Sequence, residues 1–111
     1  MRKDLNMRKG KMVAQGAHAS LSFLSRAYPS EVTTEQRLWL DSSFAKICLC
    51  VNSEQELDEI FQKAVEANLV VHLIVDSGKT EFHNIPTKTC LAIGPHYEDK
   101  FVGITDHLPL L

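Results

Sequence analysis

Apolar positions recur along this chain in two rhythms. From Met12 onward, Val13, Ala17, Leu21 and Leu24 return at helical spacing, with Ala14 and His18 four apart on an adjoining stripe. The spacing predicts a helix that follows a turn at Arg8-Lys9-Gly10-Lys11 and ends near Tyr28-Pro29. The residue before a proline is pushed out of the helical region. A shorter helix is signalled by the capping box Thr33-Thr34-Glu35-Gln36, with Leu38, Trp39 and Leu40 on its apolar side and Asp41-Ser42-Ser43 at its end. A second box, Ser53-Glu54-Gln55-Glu56, opens a helix whose Leu57, Ile60, Phe61, Ala64 and Val65 form one apolar face. Asn68 is placed to close it as a left-handed cap.

The other rhythm is that of buried strands. Residues 44–51 are apolar on both faces except for Lys46, which predicts a central strand. Val70-Val71-His72-Leu73-Ile74-Val75 is a second such run, and it stops at Asp76. Thr89-Cys90-Leu91-Ala92-Ile93 is a third, stopped by Gly94-Pro95. The loop between the last two, residues 77–88, is long for a compact domain and so a candidate for function. It contains no helical crossover, so those two strands are expected to pair antiparallel. Residues 98–103 suggest a short helix, and the ending Asp106-His107-Leu108-Pro109-Leu110-Leu111 an apolar tail docked on the body. Residues 1–5 suggest at most the tail of a strand. Alternating strands and helices predict a single α/β domain over residues 1–111, a mixed sheet with helices on both faces.

Composition adds limits. A 111-residue chain with 44% apolar and 23% charged residues suits one core and an ordinary globular protein. No apolar run is long enough to span a bilayer, and no apolar stretch follows the basic start as a signal peptide would require. A cytoplasmic location is therefore expected. Cys48, Cys50 and Cys90 all lie in strand-like apolar segments and are expected as reduced, buried thiols. Cys48-Leu49-Cys50 lacks metal-ligand spacing, and the five histidines are scattered, so neither a metal nor another cofactor is expected. The net charge of −2 conceals a basic opening: Arg2, Lys3, Arg8, Lys9 and Lys11 are opposed there only by Asp4. Such a cluster attracts a polyanion, or simply solubilises the start.

Candidate chemistry centres on Asp76, a carboxylate at a strand end, where open α/β sheets hold their ligands. Gly78-Lys79-Thr80 echoes a phosphate-binding loop, but the glycine required five positions earlier is Leu73 and no helix signal follows. A nucleotide cradle is rejected. Lys11, after a glycine and before a helix, can hold an anion. Asp76 can act as a base or can orient Lys11. The hydroxyls of Thr80 and Thr89 can donate to a substrate or fix a water, or serve ordinary turn and strand roles. His18 is a candidate base or ligand-binding donor, although its spacing alone favours a half-buried histidine bonded to a carbonyl.

These residues sit in four blocks that resemble the archaeal and eukaryotic type of peptidyl-tRNA hydrolase, the Pth2 family. The blocks are Asp4-Leu5 with Met7 and the run from Gly10 to Ala19; Ile74 to Glu81; Thr89 to Pro95; and the ending from Thr105 to Leu111. Trp39 and Lys46-Ile47 also fall where the family has similar residues. The resemblance implies a mixed four-stranded sheet and hydrolysis of the ester that joins a peptide to the 3′ end of tRNA. It also implies a peptidyl-tRNA substrate, a homodimer, and catalytic positions at Lys11, His18, Asp76, Thr80 and Thr89. Arg8, Lys9, Gln15 and Lys79 are the expected substrate-binding positions, with basic residues 2 to 11 facing the tRNA backbone. Three departures stand out. Most of the family's opening apolar strand is missing, Gly16 replaces a common cysteine, and Lys79 replaces a frequent arginine, which keeps charge but loses fork geometry. The alternative readings are a non-catalytic member that binds tRNA or a protein, and a small α/β domain acting on another ester or amide.

Overall fold

The computed structural model describes residues 1–26 and 32–111. Its elements run α1 (Lys9–Arg26), α2 (Thr34–Asp41), α3 (Glu54–Glu66), β1 (Val71–Asp76), β2 (Thr87–Ile93) and a single 3₁₀ turn at Glu98–Phe101. The expected helix end at Tyr28-Pro29 lies outside the described residues. The helix itself starts earlier than its periodicity suggested. Lys9 to Lys11, read as a turn, form its first residues, and the Met12 amide donates to the Arg8 carbonyl at 3.0 Å.

The two capping signals are realised differently. Thr33 makes a complete box with Gln36, at 3.1 Å and 2.9 Å for the two reciprocal bonds. Ser53 accepts from the Glu56 amide at 3.0 Å, but the Glu56 carboxylate reaches one residue further back, to the Asn52 amide at 3.0 Å. Asn68 closes α3 in the left-handed region, φ 57°. Leu57, Ile60 and Ala64 are the buried residues of α3. With Val51 and Ile104, Leu57 and Ile60 form the core, against which Leu69, Leu73, Leu91, Ile93 and Leu108 pack. Removing these side chains from water is the main favourable term in holding α3 to the sheet.

β1 and β2 pair antiparallel, as the loop between them predicted, from Val71↔Ile93 to Asp76↔Thr87. The four-stranded sheet is reduced to these two strands among the described residues. The central strand expected at residues 44–51 does not form. Only its last residues find neighbours: Arg2 bridges Val51 in parallel and Leu49 bridges Leu110 antiparallel. Residues 44–48 are exposed. Phe44 takes a left-handed φ of 52°, and the Trp39 indole donates to the Ala45 carbonyl at 2.7 Å, so the segment folds back on α2. The Phe44 ring lies 4.5 Å from that of Trp39, while Ile47 stays exposed. Cys48, carried on this segment, is exposed rather than buried, while Cys50 and Cys90 are buried as expected.

α1 docks with an unexpected face. Val13 is 72% exposed and Leu21 is exposed too, whereas Gln15, Ala19, Ser22 and Phe23 are buried. α2 likewise buries Gln36 and exposes Leu38. In α1 the reason is chemical. The inward face carries Lys11 and Gln15, whose polar heads meet partners on both strands.

The ladder between the strands is broken once. Ile74 pairs with Cys90, yet the next residue, Val75, pairs with Lys88, leaving Thr89 as the extra residue of a bulge. Alternation would place Lys88 and Thr89 on opposite faces. They are so placed: the Lys88 ammonium meets Asp58 of α3 at 2.9 Å, and the Thr89 hydroxyl donates to Gln15 of α1. Cys90, which regular alternation would turn back, also faces α1, its thiol 3.4 Å from the Gln15 carbonyl.

Candidate active site

The amino end of α1 lies over the carboxyl end of β1. There the Lys11 ammonium donates to Asp76 Oδ1 at 2.7 Å and to Thr80 Oγ1 at 3.1 Å. The Gln15 amide donates to the same Asp76 oxygen at 3.3 Å. The other carboxylate oxygen accepts from the Gly78 amide at 2.9 Å. Lys11 and Gln15 are four apart on the helix and so share a face. Gln15 in turn accepts from Thr89 through its side-chain oxygen. A buried chain thus runs from Thr89 through Gln15 to Asp76, and ends at the surface with Lys11 and Thr80.

The Lys11 and Asp76 side chains are 14% and 12% exposed, a pair at the rim rather than in the interior. The bond from Lys11 is the largest influence holding the Asp76 carboxyl below its ordinary range, and the Gly78 amide adds to it. Asp76 is therefore held as an anion against the ammonium. An ammonium has three donors, and Asp76 and Thr80 take two. The Phe82 ring lies 5.8 Å from the same nitrogen.

The loop at residues 77–86 holds Thr80 in place. Gly78, at φ 81°, accepts from the amides of Phe82 and Asn84 at 3.2 Å and 2.9 Å. A Cβ there would sit 2.2 Å from the Ile85 carbonyl oxygen, so glycine is required for the backbone to approach so closely. Beside Thr80, Glu81 accepts from Arg8 at 2.9 Å.

Of the residues singled out from the sequence, Lys11, Gln15, Asp76, Thr80 and Thr89 are brought together. Thr89 is fully buried behind Gln15. His18 is not part of the cluster. It is exposed two helical turns beyond Lys11, and among the described residues no side-chain hydrogen bond joins it to the cluster or to a carbonyl. Arg8, Lys9 and Lys79 are exposed around the site. Arg2 is withdrawn from the basic surface: it binds Asp4 at 2.7 Å and the Lys88 carbonyl at 3.1 Å. Sequence reasoning did not single out Glu81, although it follows Thr80 directly. Among the described residues no three His, Cys, Asp or Glu side chains gather as a metal-ligand set. Nor is any helix long and apolar enough to cross a membrane.

Two surface clefts lie elsewhere, one between α3 and His107-Pro109, the other between α2 and the turn at Pro95-Tyr97.

The chain is similar to known proteins along its whole length. The family model described as peptidyl-tRNA hydrolase PTH2 matches residues 1–111. The peptidyl-tRNA hydrolase of Methanocaldococcus jannaschii is 41% identical over 112 residues, covering 100% of this chain and 95% of its own. That of Methanopyrus kandleri is 39% identical over 111 residues, covering 100% and 93%. That of Sulfolobus acidocaldarius is 36% identical over 115 residues, covering 100% and 95%.

Proposed function

This chain belongs to the PTH2 family of peptidyl-tRNA hydrolases, and from that premise we propose that it cleaves the peptide–tRNA ester at the Lys11–Asp76 site. The observation that carries the assignment of the site is the Lys11 ammonium, fixed by Asp76 and Thr80 with one donor left over.

Water adds to the ester carbonyl, and the carbonyl oxygen becomes an oxyanion. The remaining Lys11 N–H stabilises that charge, already oriented by Asp76 before substrate arrives. Thr80 accepts from Lys11, which leaves its own O–H free to hold the attacking water or the ribose oxygen. Collapse of the intermediate breaks the bond to the 3′ oxygen of tRNA. One proton of the added water ends on that oxygen, the other is released to solvent, and the peptide leaves as a carboxylate. Gln15 and Thr89 keep Asp76 in register and do not meet the substrate.

Exposed Arg8, Lys9 and Lys79 border the site, and we assign them to the tRNA backbone. A homodimer belongs to the same proposal, supported by the exposed apolar stripe of Val13, Ala17 and Leu21 on α1. So does a cytoplasmic location, where translation supplies the substrate.

The test is release of peptide from peptidyl-tRNA by the wild-type protein and by Lys11→Ala. Wild type turns over, and the variant loses about 10²-fold in kcat, the scale of one preorganised donor. A folded wild-type protein that binds tRNA and leaves the ester intact favours the non-catalytic reading.

A further inference from the structure

Arg8 and Glu81 form an ion pair of unusual burial. The Arg8 side chain is 82% exposed and that of Glu81 only 16%, with Nε to Oε1 at 2.9 Å. Stability does not explain it, since pairs with one partner this exposed contribute little. Geometry does. The contact engages Nε alone, and among the described residues no other hydrogen bond reaches the guanidinium. Both terminal nitrogens therefore remain as a planar fork, the shape that grips a phosphate with two parallel bonds.

The position of the fork is equally specific. Thr80 meets Lys11 and Glu81 meets Arg8, so two consecutive loop residues are stitched to the first turn of α1 and to the residue just before it. The fork and the Lys11 ammonium thus stand beside the same short stretch of loop. In peptidyl-tRNA the ester and a backbone phosphate share the terminal ribose. A group that binds that phosphate adds affinity for the end of the tRNA that carries the ester.

We propose that Glu81 is a positioning residue that holds the Arg8 fork for a tRNA backbone phosphate adjoining the ester. The inference rests on the hydrolase reading above and adds a role to a carboxylate that charge alone would count as unfavourable for tRNA. That opposition makes the sign of the effect decisive. If Glu81 were only a negative charge, removing it would tighten tRNA binding. If it aims Arg8, removing it weakens binding.

The experiment compares wild type with Arg8→Ala, Arg8→Lys, Glu81→Ala, Glu81→Gln and the double alanine variant. Dissociation constants for deacylated tRNA are measured across salt concentrations, together with kcat, KM and melting temperature. Glu81→Ala raises Kd and KM about fivefold and lowers the salt slope by about 0.7, the share of one phosphate contact. Its kcat stays within about twofold, since the ammonium is untouched. Glu81→Gln, which keeps an acceptor for Nε, falls between wild type and Glu81→Ala. Arg8→Lys resembles Arg8→Ala despite its charge, and the double variant is no worse than Arg8→Ala. Tighter binding in Glu81→Ala, an unchanged slope, or a loss confined to kcat overturns the proposal. If wild type fails to hydrolyse peptidyl-tRNA, the hydrolase reading falls, and the tRNA constants still decide the role of Glu81.

Discussion

Replacing Asp76 by Asn keeps the shape of the site and changes its logic. The carboxylate accepts three bonds, two on Oδ1 from Lys11 and Gln15 and one on Oδ2 from the Gly78 amide. Asn has one oxygen. With that oxygen toward Lys11 and Gln15, its NH₂ faces the Gly78 N–H, donor against donor. In the opposite orientation the NH₂ faces the ammonium. A charge-assisted bond is worth about 1.5–3 kcal/mol, and a lost acceptor costs about as much as it strands. The pair lies at the rim and solvent screens it, so a net loss of about 2 kcal/mol is expected. For a chain of this length that is a fall of about 8 °C in melting temperature by circular dichroism. The loss of aim on Lys11 costs more in rate, about 10²–10³-fold in kcat on peptidyl-tRNA. The pH dependence has a definite sign. The Asp76 carboxyl is held below its ordinary range in the folded protein. Its contribution is therefore complete above the unfolded carboxyl value near 3.9 and fades as pH falls through the native one. The stability gap between wild type and Asp76→Asn is flat from about pH 5 to 8 and closes below about pH 4. A variant with kcat within threefold of wild type, or a gap as large at pH 2 as at pH 7, refutes the reasoning.

Two further outcomes follow from the loop and the thiols. Gly78→Ala forces a Cβ against the Ile85 carbonyl at a positive φ, so it should cost at least about 2 kcal/mol in urea unfolding and lower kcat by shifting Thr80. Wild-type turnover by that variant would detach the loop from the chemistry. With a thiol reagent under native conditions, Cys48 reacts promptly while Cys50 and Cys90 do so only after unfolding. Burial raises the Cys90 thiol above its ordinary range, which keeps it protonated; rapid labelling of all three cysteines at neutral pH would contradict the packing of β2 on α1.

Legibility in the sequence followed the kind of information each segment carries. α3 was readable because Leu57, Ile60 and Ala64 declare one face and Ser53 declares the start. β1 and β2 were readable because their runs are apolar and the loop between them has no room for a crossover. Residues 44–51 were misread because apolarity does not guarantee burial: residues 44–48 stay exposed, with Phe44 turned against Trp39, and only the last residues meet a neighbouring strand-like segment. The buried face of α1 was misread for a related reason. Val13 and Leu21 are the stronger hydrophobes, but the inward face carries Lys11 and Gln15, which serve Asp76. A signal was available there: Lys11, Gln15 and Ala19 follow at helical spacing, a stripe too polar for ordinary packing. Lys11 and Asp76 themselves were found through residue type, position and family likeness. Their separation of 65 residues means only tertiary packing could set the 2.7 Å contact. The Arg8–Glu81 pair, across 73 residues, left no local pattern to read.

The bulge at Thr89 bears on how this strand can vary over evolutionary time. β2 contains two reading frames of inside and outside, joined at one unpaired residue. Leu91 and Ile93 pack against the core on the α3 side. Thr89 and Cys90 meet Gln15 on the other side. Drift among hydrophobes at positions 91 and 93 can repack the core without reaching the hydrogen-bonded chain. Loss of the single extra residue would do the reverse, restoring a regular ladder while withdrawing the hydroxyl from Gln15. Foldability and chemistry are thus heritable separately within seven residues, and a lineage could lose the second while keeping the first.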